Sequence, residues 1–322
     1  MTSLVTGVAG FIGFHAARAR LEEGEDIVGL DNMNAYYDPA LKQARLDQLA
    51  RYPGFRFKKL DLADDAAITR LVSDVRPERI LHLGAQAGVR YSLDVPFAYA
   101  RSNLLGHLSI LEAARGLGDR LEHLVYASSS SVYGERSSVP FRETDATETP
   151  ASLYAATKRS DELMSAAYCG LYDIPATGLR FFTVYGPWGR PDMAYWLFAD
   201  AMLAGRPIQV FNNGDMARDF TYIDDIIEAL SRVLADSPAR GRHAVYNIGG
   251  SSPVQLMDMI QSLERHLGVE AEKVMCPMQP GDVTRTYADT SKLESDYGYT
   301  PSIGLDQGLK KFVDWFRGWR RP

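Results

Sequence analysis

The sequence predicts an α/β fold, a doubly wound parallel sheet carrying a smaller α/β lobe. Three observations predict it. Short apolar segments alternate with longer helical patterns through the first half, as βαβ units require. Those segments lack polar alternation, as strands do when helices cover both faces of a sheet. After residue 180 the alternation loosens and Gly and Pro become frequent, which marks a departure from the sheet. A chain of 322 residues exceeds one average domain and suits one large unit with a lobe attached.

Taken in order, strands are expected at 3–6, 26–31, 55–60, 80–83, 121–127 and 176–180. Helices are expected between them at 11–23, 64–75, 97–117 and 152–172. Residues 184–192 (VYGPWGRPD) read as a loop leaving the sheet. A helix at 194–203, a strand at 208–211 and a helix at 219–233 follow, and 244–248 reads as another strand of the main sheet. Beyond 251 come two helical stretches and the Pro/Gly-rich segment 277–281.

Composition narrows the partners. The formal charge is −6 with no block of like charge, which disfavours nucleic acid and anionic membrane, since both need a concentrated basic face. A small charged ligand needs only a few local cations and stays open. No apolar run approaches the ~20 residues that span a bilayer. Cys169 and Cys276 are far apart, and His15, His82, His107, His123, His243 and His266 show no ligand spacing, so no metal site is expected. With no leader ahead of a first strand at Ser3 and reduced thiols expected, a cytoplasmic location is anticipated.

The run GVAGFIG (Gly7, Gly10, Phe11, Ile12, Gly13) follows the first strand and opens the first helix. Small residues there let the backbone approach a pyrophosphate, toward which the helix N-terminus is partly positive, and Gly13 permits close helix–strand packing. A strand before and a helix after raise this above a bare glycine pattern. The sheet is therefore expected to be of the Rossmann type. The second strand ends at Asp31, eighteen residues beyond Gly13, where a carboxylate can accept ribose hydroxyls and repel a 2′-phosphate. Its sequence neighbours are Asn32 and Asn34 rather than Arg or Lys, so NAD is favoured over NADP. Asp61 and Leu62 close the third strand, placed to meet adenine, although Asp61 reads equally well as a helix N-cap.

Tyr154 and Lys158 stand at i,i+4 in a predicted helix, on one face. A tyrosine acts as a base only as phenolate, and moving its ordinary value of about 10 to near 7 takes ~4 kcal/mol. Lys158 and the positive nicotinamide ring both act in that direction. The fifth strand ends in four serines, Ser128 to Ser131, facing the crevice where ligands bind in such folds.

In these features the chain resembles the extended short-chain dehydrogenase/reductase family, which includes nucleotide-sugar epimerases, dehydratases and decarboxylases. Further markers are the SSVYG element at 130–134 and the run RDFTYIDD at 218–225. The resemblance implies NAD, contacted also by Leu83, Ala85, Gln86 and Asn103. It assigns the catalytic hydroxyl to Ser129, four residues before the Tyr of VYG, with Ser128 and Ser130 as second choices. Arg218 would bind the nucleotide diphosphate, and Gly88, Arg90, Met193, Gln209, Phe211, Asp282 and Arg285 would line a UDP-sugar. Relatives often carry an Arg near Gln279; it is missing here, and Arg285 is the candidate substitute. A homodimer packed through helices 97–117 and 152–172 is also implied.

Three stretches, 31–38 (DNMNAYYD), 84–92 (GAQAGVRYS) and 178–193 (GLRFFTVYGPWGRPDM), resemble the UDP-glucuronate 4-epimerases of that family. By this resemblance Thr183 and Arg190 hold the uronate carboxylate, and an Arg can grip it with two parallel hydrogen bonds. The implied reaction is reversible C4 epimerisation of UDP-glucuronate through a 4-keto sugar, without decarboxylation. The acids that dehydratases and decarboxylases carry near the active hydroxyl are replaced by Ser130 and Ser131, which leaves a neutral UDP-sugar 4-epimerase as the nearer alternative. A catalytically silent NAD-binding regulator would not need Ser129, Tyr154 and Lys158 together. The expected division is 1–180 plus about 217–250 for NAD, and 181–216 plus 251–322 for the sugar nucleotide.

Overall fold

The computed structural model describes residues 1–136, 138–279 and 283–320. The strands begin β1 (Thr2–Thr6), β2 (Asp26–Asp31), β3 (Phe55–Lys59), β4 (Arg79–His82), β5 (His123–Ser129) and β6 (Ala176–Phe181). After them come β7 (Thr183–Tyr185), β8 (Ile208–Phe211), β9 (Ala217–Tyr222), β10 (His243–Ile248), β11 (Pro253–Gln255) and β12 (Lys273–Cys276). The helices are α1 (Phe11–Glu22), α2 (Pro39–Leu49), α3 (Asp65–Val75), α4 (Tyr91–Asp94), α5 (Pro96–Tyr99) and α6 (Gly106–Leu117). They continue with α7 (Leu153–Tyr172), α8 (Ala194–Leu203), α9 (Ile223–Ala235), α10 (Leu256–Leu267), α11 (Ser291–Tyr297) and α12 (Leu305–Trp319).

By contact the chain forms two units. The first comprises Met1–Gly134, Ala146–Phe181 and Ile227–Tyr246; the second comprises Glu135–Asp145, Phe182–Ile226 and Asn247–Pro322. A seven-stranded sheet in the order β10-β6-β5-β4-β1-β2-β3 organises the first. Its pairs from β3 across to β6 are parallel. Leu4, Val28, Leu30, Ile80 and Leu124 from the strands meet Ile68, Val72, Ile110 and Leu111 from α3 and α6 in one core. Each such side chain contributes about 1.5–3 kcal/mol when fully buried. Chain order reverses between β1 and β4, which opens a crevice beyond their carboxyl ends, the usual ligand position in such sheets.

Three local expectations are corrected. Helix α2 was not legible because its buried face includes the cations Lys42 and Arg45 beside Leu41, Leu46 and Leu49, which disguises the apolar period. Asp38 caps it, accepting from the Ala40 N–H at 2.9 Å, with Pro39 in the first turn. The helix expected at 97–117 is divided, with a π-helical stretch Ala100–Leu105 between α5 and α6. The helix expected from 219 starts at Ile223, because Ala217–Tyr222 is a strand with Asp219 and Thr221 turned inward.

In the second unit β9 pairs parallel with β7 and antiparallel with β11, while β8 pairs parallel with β12. This pairing moves the boundary expected at 217 to 227, since β9 belongs to a sheet of this unit. Buried Asp219 accepts from the N–H groups of Gly250 at 2.7 Å and Ala288 at 2.8 Å, and burial still pushes its carboxyl up to about 6. Trp196 on α8 packs on Phe312 and Phe316 of α12 in an aromatic core. No helix among the described residues is long and apolar enough to cross a membrane.

Candidate active site

The glycine-rich turn has the shape that a dinucleotide needs. Gly7 has φ +67°, and a Cβ there would lie 2.7 Å from Gly84 Cα, so the loops after β1 and β4 touch backbone to backbone. A Cβ on Gly10 would meet the Gly7 carbonyl oxygen at 2.9 Å, and one on Gly13 would overlap it. Helix α1 opens at Phe11 and Ile12 with no side-chain cap and no acid in its first turn. Its N-terminal N–H groups therefore keep their partial positive charge for an anion.

Around this cradle the adenosine candidates are prearranged. Asp31 accepts from the Met33 N–H at 2.8 Å and the Ala9 N–H at 3.3 Å. Asn32 donates to Asp61 at 3.3 Å, and Asn34 donates to Gln86 at 3.4 Å. Asp61 also accepts from the Ala63 N–H, whereas the N-cap of α3 is Asp64, so the capping role considered for Asp61 falls to Asp64. Leu62 packs at the edge of the core and against Gly84 and Gly106.

Sequence reasoning missed two cations here. Lys42 stands 3.9 Å from Asp31, although its ammonium is anchored on the backbone and side-chain oxygens of Asn34 at 3.0 and 2.9 Å. Arg45, fully buried, donates to the Ala9 carbonyl and to Tyr37 Oη, both at 2.8 Å, and so ties the glycine turn to α2. Neither adjoins the motif in sequence, and α2 alone brings them there.

The loop after β4 runs through Leu83, Gly84, Ala85 and Gln86, and Asn103 clamps it. Asn103 accepts from the Gln86 N–H at 2.8 Å and donates to the Gln86 carbonyl at 3.2 Å and to Thr157 Oγ1 at 2.9 Å. Both amide protons are thereby used, so Asn103 braces this loop against α7. The π-helical turn carries it inward. Gly88 follows at φ +98°, beneath Tyr36, and Arg90 precedes the short α4.

Ser129 ends β5, and its Oγ accepts from the Ser131 N–H at 3.2 Å and from Ser131 Oγ at 2.9 Å. Both bonds use lone pairs, leaving the Ser129 proton to be donated. Ser128 points to the other face, as strand alternation requires, and donates to Glu162 at 2.6 Å, which separates its role from that of Ser129. Ser130 opens the turn that follows. Ser152 caps α7 through the Ala155 N–H at 3.1 Å, setting half-buried Tyr154 in the first turn, edge-on to Tyr99. Buried Lys158 donates to the Ala127 carbonyl at 2.9 Å and to Asp161 at 3.1 Å. Ser129, Tyr154 and Lys158 thus belong to adjoining ends of β5 and α7.

Behind them lies a buried polar layer. Glu162 receives two bonds from Arg180, each 2.8 Å, besides Ser128 and Arg159; burial pushes its carboxyl up, but these donors outweigh it and hold it below the ordinary range. His82 is pushed down to about 3 by burial and then by the charge of Lys158, and His107 is lowered by burial, then by His82 and by Lys158.

The remaining candidates lie in the second unit. Thr183 opens β7, half-buried, in register with Phe220. Arg190 engages Asp192 through Nε at 3.0 Å and a terminal nitrogen at 2.5 Å, a two-bond carboxylate grip within the chain itself. Met193 is the N-cap of α8. Gln209 and Phe211 share the outer face of β8, while Ile208 and Val210 turn inward. Arg218 lies on β9, and Arg285 bridges backbone to backbone with neighbouring Ala217. Asp282 lies outside the described residues.

A family model described as GDP-mannose 4,6 dehydratase matches residues 4–312. A probable UDP-glucuronate 4-epimerase of Rhizobium meliloti is 46% identical, covering 98% of this chain and 97% of its own. The crystal structure of UDP-glucuronic acid 4-epimerase from Bacillus cereus, in complex with UDP-glucuronic acid and NAD, superposes with a TM-score of 0.92 at 34% identity, covering 99% and 100% of the two chains. That of UDP-glucose 4-epimerase from Thermotoga maritima with UDP-glucose has a TM-score of 0.90 at 30% identity, covering 100% of each chain. With its cradle, its β5 and α7 termini and these full-length matches, the chain belongs to the NAD-dependent epimerase/dehydratase family of extended short-chain dehydrogenases/reductases.

Proposed function

We propose that the chain catalyses reversible C4 epimerisation of UDP-glucuronate to UDP-galacturonate, NAD-dependent and without loss of carbon dioxide. The observation that carries this reading is the joint placement of Ser129 at the end of β5 and of Tyr154 and Lys158 on α7, Lys158 being pinned to Ala127 two residues before Ser129. Relatives of matching length named for this reaction supply the substrate class.

Bound NAD supplies the acceptor, and later the donor, of the C4 hydride. The turn from Gly7 to Gly13 and the N-terminus of α1 would hold its pyrophosphate, and Asp31 its adenosine ribose. Tyr154, as phenolate beside Lys158, accepts the proton of the sugar 4-hydroxyl, and the Ser129 proton stabilises the 4-oxygen. After the 4-keto sugar turns over, Tyr154 returns the proton. The keto uronate is a β-keto acid, which loses carbon dioxide only when the C5–C6 bond aligns with the carbonyl π system. Thr183 and Arg190 hold the carboxylate out of that alignment. Arg218 and Arg285 take the diphosphate, and Gln209 and Phe211 the nucleoside. A dehydratase would need acids at Ser130 and Ser131 and has none there.

Incubation with UDP-glucuronate, followed by NMR of the sugar, is expected to yield a reversible mixture with UDP-galacturonate. Tyr154→Phe is expected to lower turnover by about a thousandfold with the fold intact. A dominant pentose product, or faster turnover of UDP-glucose, refutes the assignment. Assembly as a homodimer in the cytoplasm completes the reading, since Phe97, Leu105, Leu163 and Leu171 expose apolar side chains on the α5–α6 segment and α7. A monomer mass in light scattering at micromolar concentration refutes the dimer.

A further inference from the structure

Lys158 has a partner that no family motif in the sequence singled out. Asp161 follows it by three residues on α7 and lies on the same helical face as Tyr154, Lys158 and Ser165. Its Oδ2 accepts from Lys158 Nζ at 3.1 Å, with the two side chains only 1% and 4% exposed. The other oxygen, Oδ1, is buried without a hydrogen-bond partner among the described residues. A buried carboxylate with one oxygen unbonded within the chain is costly unless a charge compensates it, and the charge beside it is Lys158.

The neighbours leave no substitute. Glu162 is committed to Arg180, Ser128 and Arg159. From β4 and α6, His82 and His107 face Lys158 as neutral rings. From β5, Tyr126 faces Asp161, with its hydroxyl on His243 at 2.7 Å. Tyr154 completes the set on α7 itself. Lys158 has one carboxylate within reach among the described residues, and it is Asp161.

We propose that Asp161 is a positioning residue for the reaction: its carboxylate is the counter-ion that fixes Lys158 beside Tyr154 and sets the pH range in which Tyr154 exchanges its proton. The proposal rests on the roles given above to Tyr154 and Lys158. An ionised Asp161 offsets part of the positive charge felt by the phenolate. Its own carboxyl, pushed up to about 6 by burial against the pull of Lys158, changes charge within the range where turnover is measured.

Asp161→Asn keeps the shape and an acceptor for Lys158 but removes the charge. Both limbs of the pH profile of kcat are expected to move to lower pH by about one unit, the lower end of the effect of a neighbouring charge. KM for the sugar nucleotide stays within twofold. Without any substrate, the phenolate absorbance that depends on Tyr154, read against the matching Tyr154→Phe protein in the NAD-saturated state, also develops at lower pH. Asp161→Ser, smaller and uncharged, carries the same test should the Asn variant fail to fold. An unmoved absorbance titration overturns the proposal, as does a uniform loss of kcat at every pH with an unmoved profile. If the absorbance moves while wild-type protein leaves UDP-glucuronate untouched, the proposal for Asp161 stands and the substrate assignment falls.

Discussion

Two buried carboxylates stand side by side on α7 and meet opposite fates. Glu162 receives a two-bond grip from Arg180 and further bonds from Ser128 and Arg159, and its carboxyl is held below the ordinary range. Asp161 receives one side-chain bond, from Lys158, leaves its other oxygen without a partner among the described residues, and is pushed up to about 6. Burial is nearly equal, so the number and geometry of donors decides the sign. The satisfied pair is scaffold, joining α7 to β6. The half-satisfied pair holds a carboxyl raised toward neutrality beside the lysine proposed to serve Tyr154.

That contrast can be broken at its strong end first. Glu162→Gln leaves the Arg180 charge buried with its grip gone, and a loss of about 3–5 kcal/mol in unfolding free energy is expected. An unfolding free energy from urea melts lowered by less than a third of that would show the pair to be dispensable.

A smaller effect separates the two carboxylates by pH. In the unfolded chain an Asp sits near 3.9. Because Asp161 is raised in the fold, between about pH 4 and 6 the folded state holds the extra proton, so its contribution to stability grows as pH falls through that window. The size is on the order of 2–3 kcal/mol for this buried group. Glu162 is lowered instead, so its contribution is present above about 4.3 and is lost as pH falls through its folded value. In Asp161→Asn the slope between pH 4 and 6 should fall by the share of Asp161, leaving that of Asp219, which is raised to the same range; an unchanged slope would assign it to other groups.

The half-buried pair Arg190–Asp192 gives the weakest response in stability and sharpens the comparison from outside. Its geometry rivals that of Arg180–Glu162, but the side chains are 25% and 29% exposed. Asp192→Asn should cost under about 1 kcal/mol of stability. If Asp192 orients Arg190 for a uronate carboxylate, KM for UDP-glucuronate rises severalfold with kcat held; unchanged KM would refute that orienting role.

The residues legible in the sequence were those whose relation is local. Gly7, Gly10 and Gly13 sit on one turn, Tyr154 and Lys158 on one helical face, and Asp31 at one strand end, so spacing alone carries the geometry. Lys42 and Arg45 were not legible, because a helix that buries cations loses its apolar period. The clamp of Asn103 on Gln86 and Thr157 was hidden too, since it depends on a π-helical turn and on residues 17 and 54 positions away. Strand β9 was read as helix because its partners, β7 and β11, lie on either side of it in the chain and pair only after folding.

The chain by itself determined the parallel sheet, the glycine turn and the shared helical face of Tyr154 and Lys158, because strand and helix periods and i,i+4 spacing are set within a few residues. Tertiary structure alone decided that Ser128 serves Glu162 while Ser129 keeps its proton to give, and that Asp161 accompanies Lys158. Those outcomes depend on desolvation and on donors brought from β5, β6 and α7 into one layer, which exist only once the chain is folded.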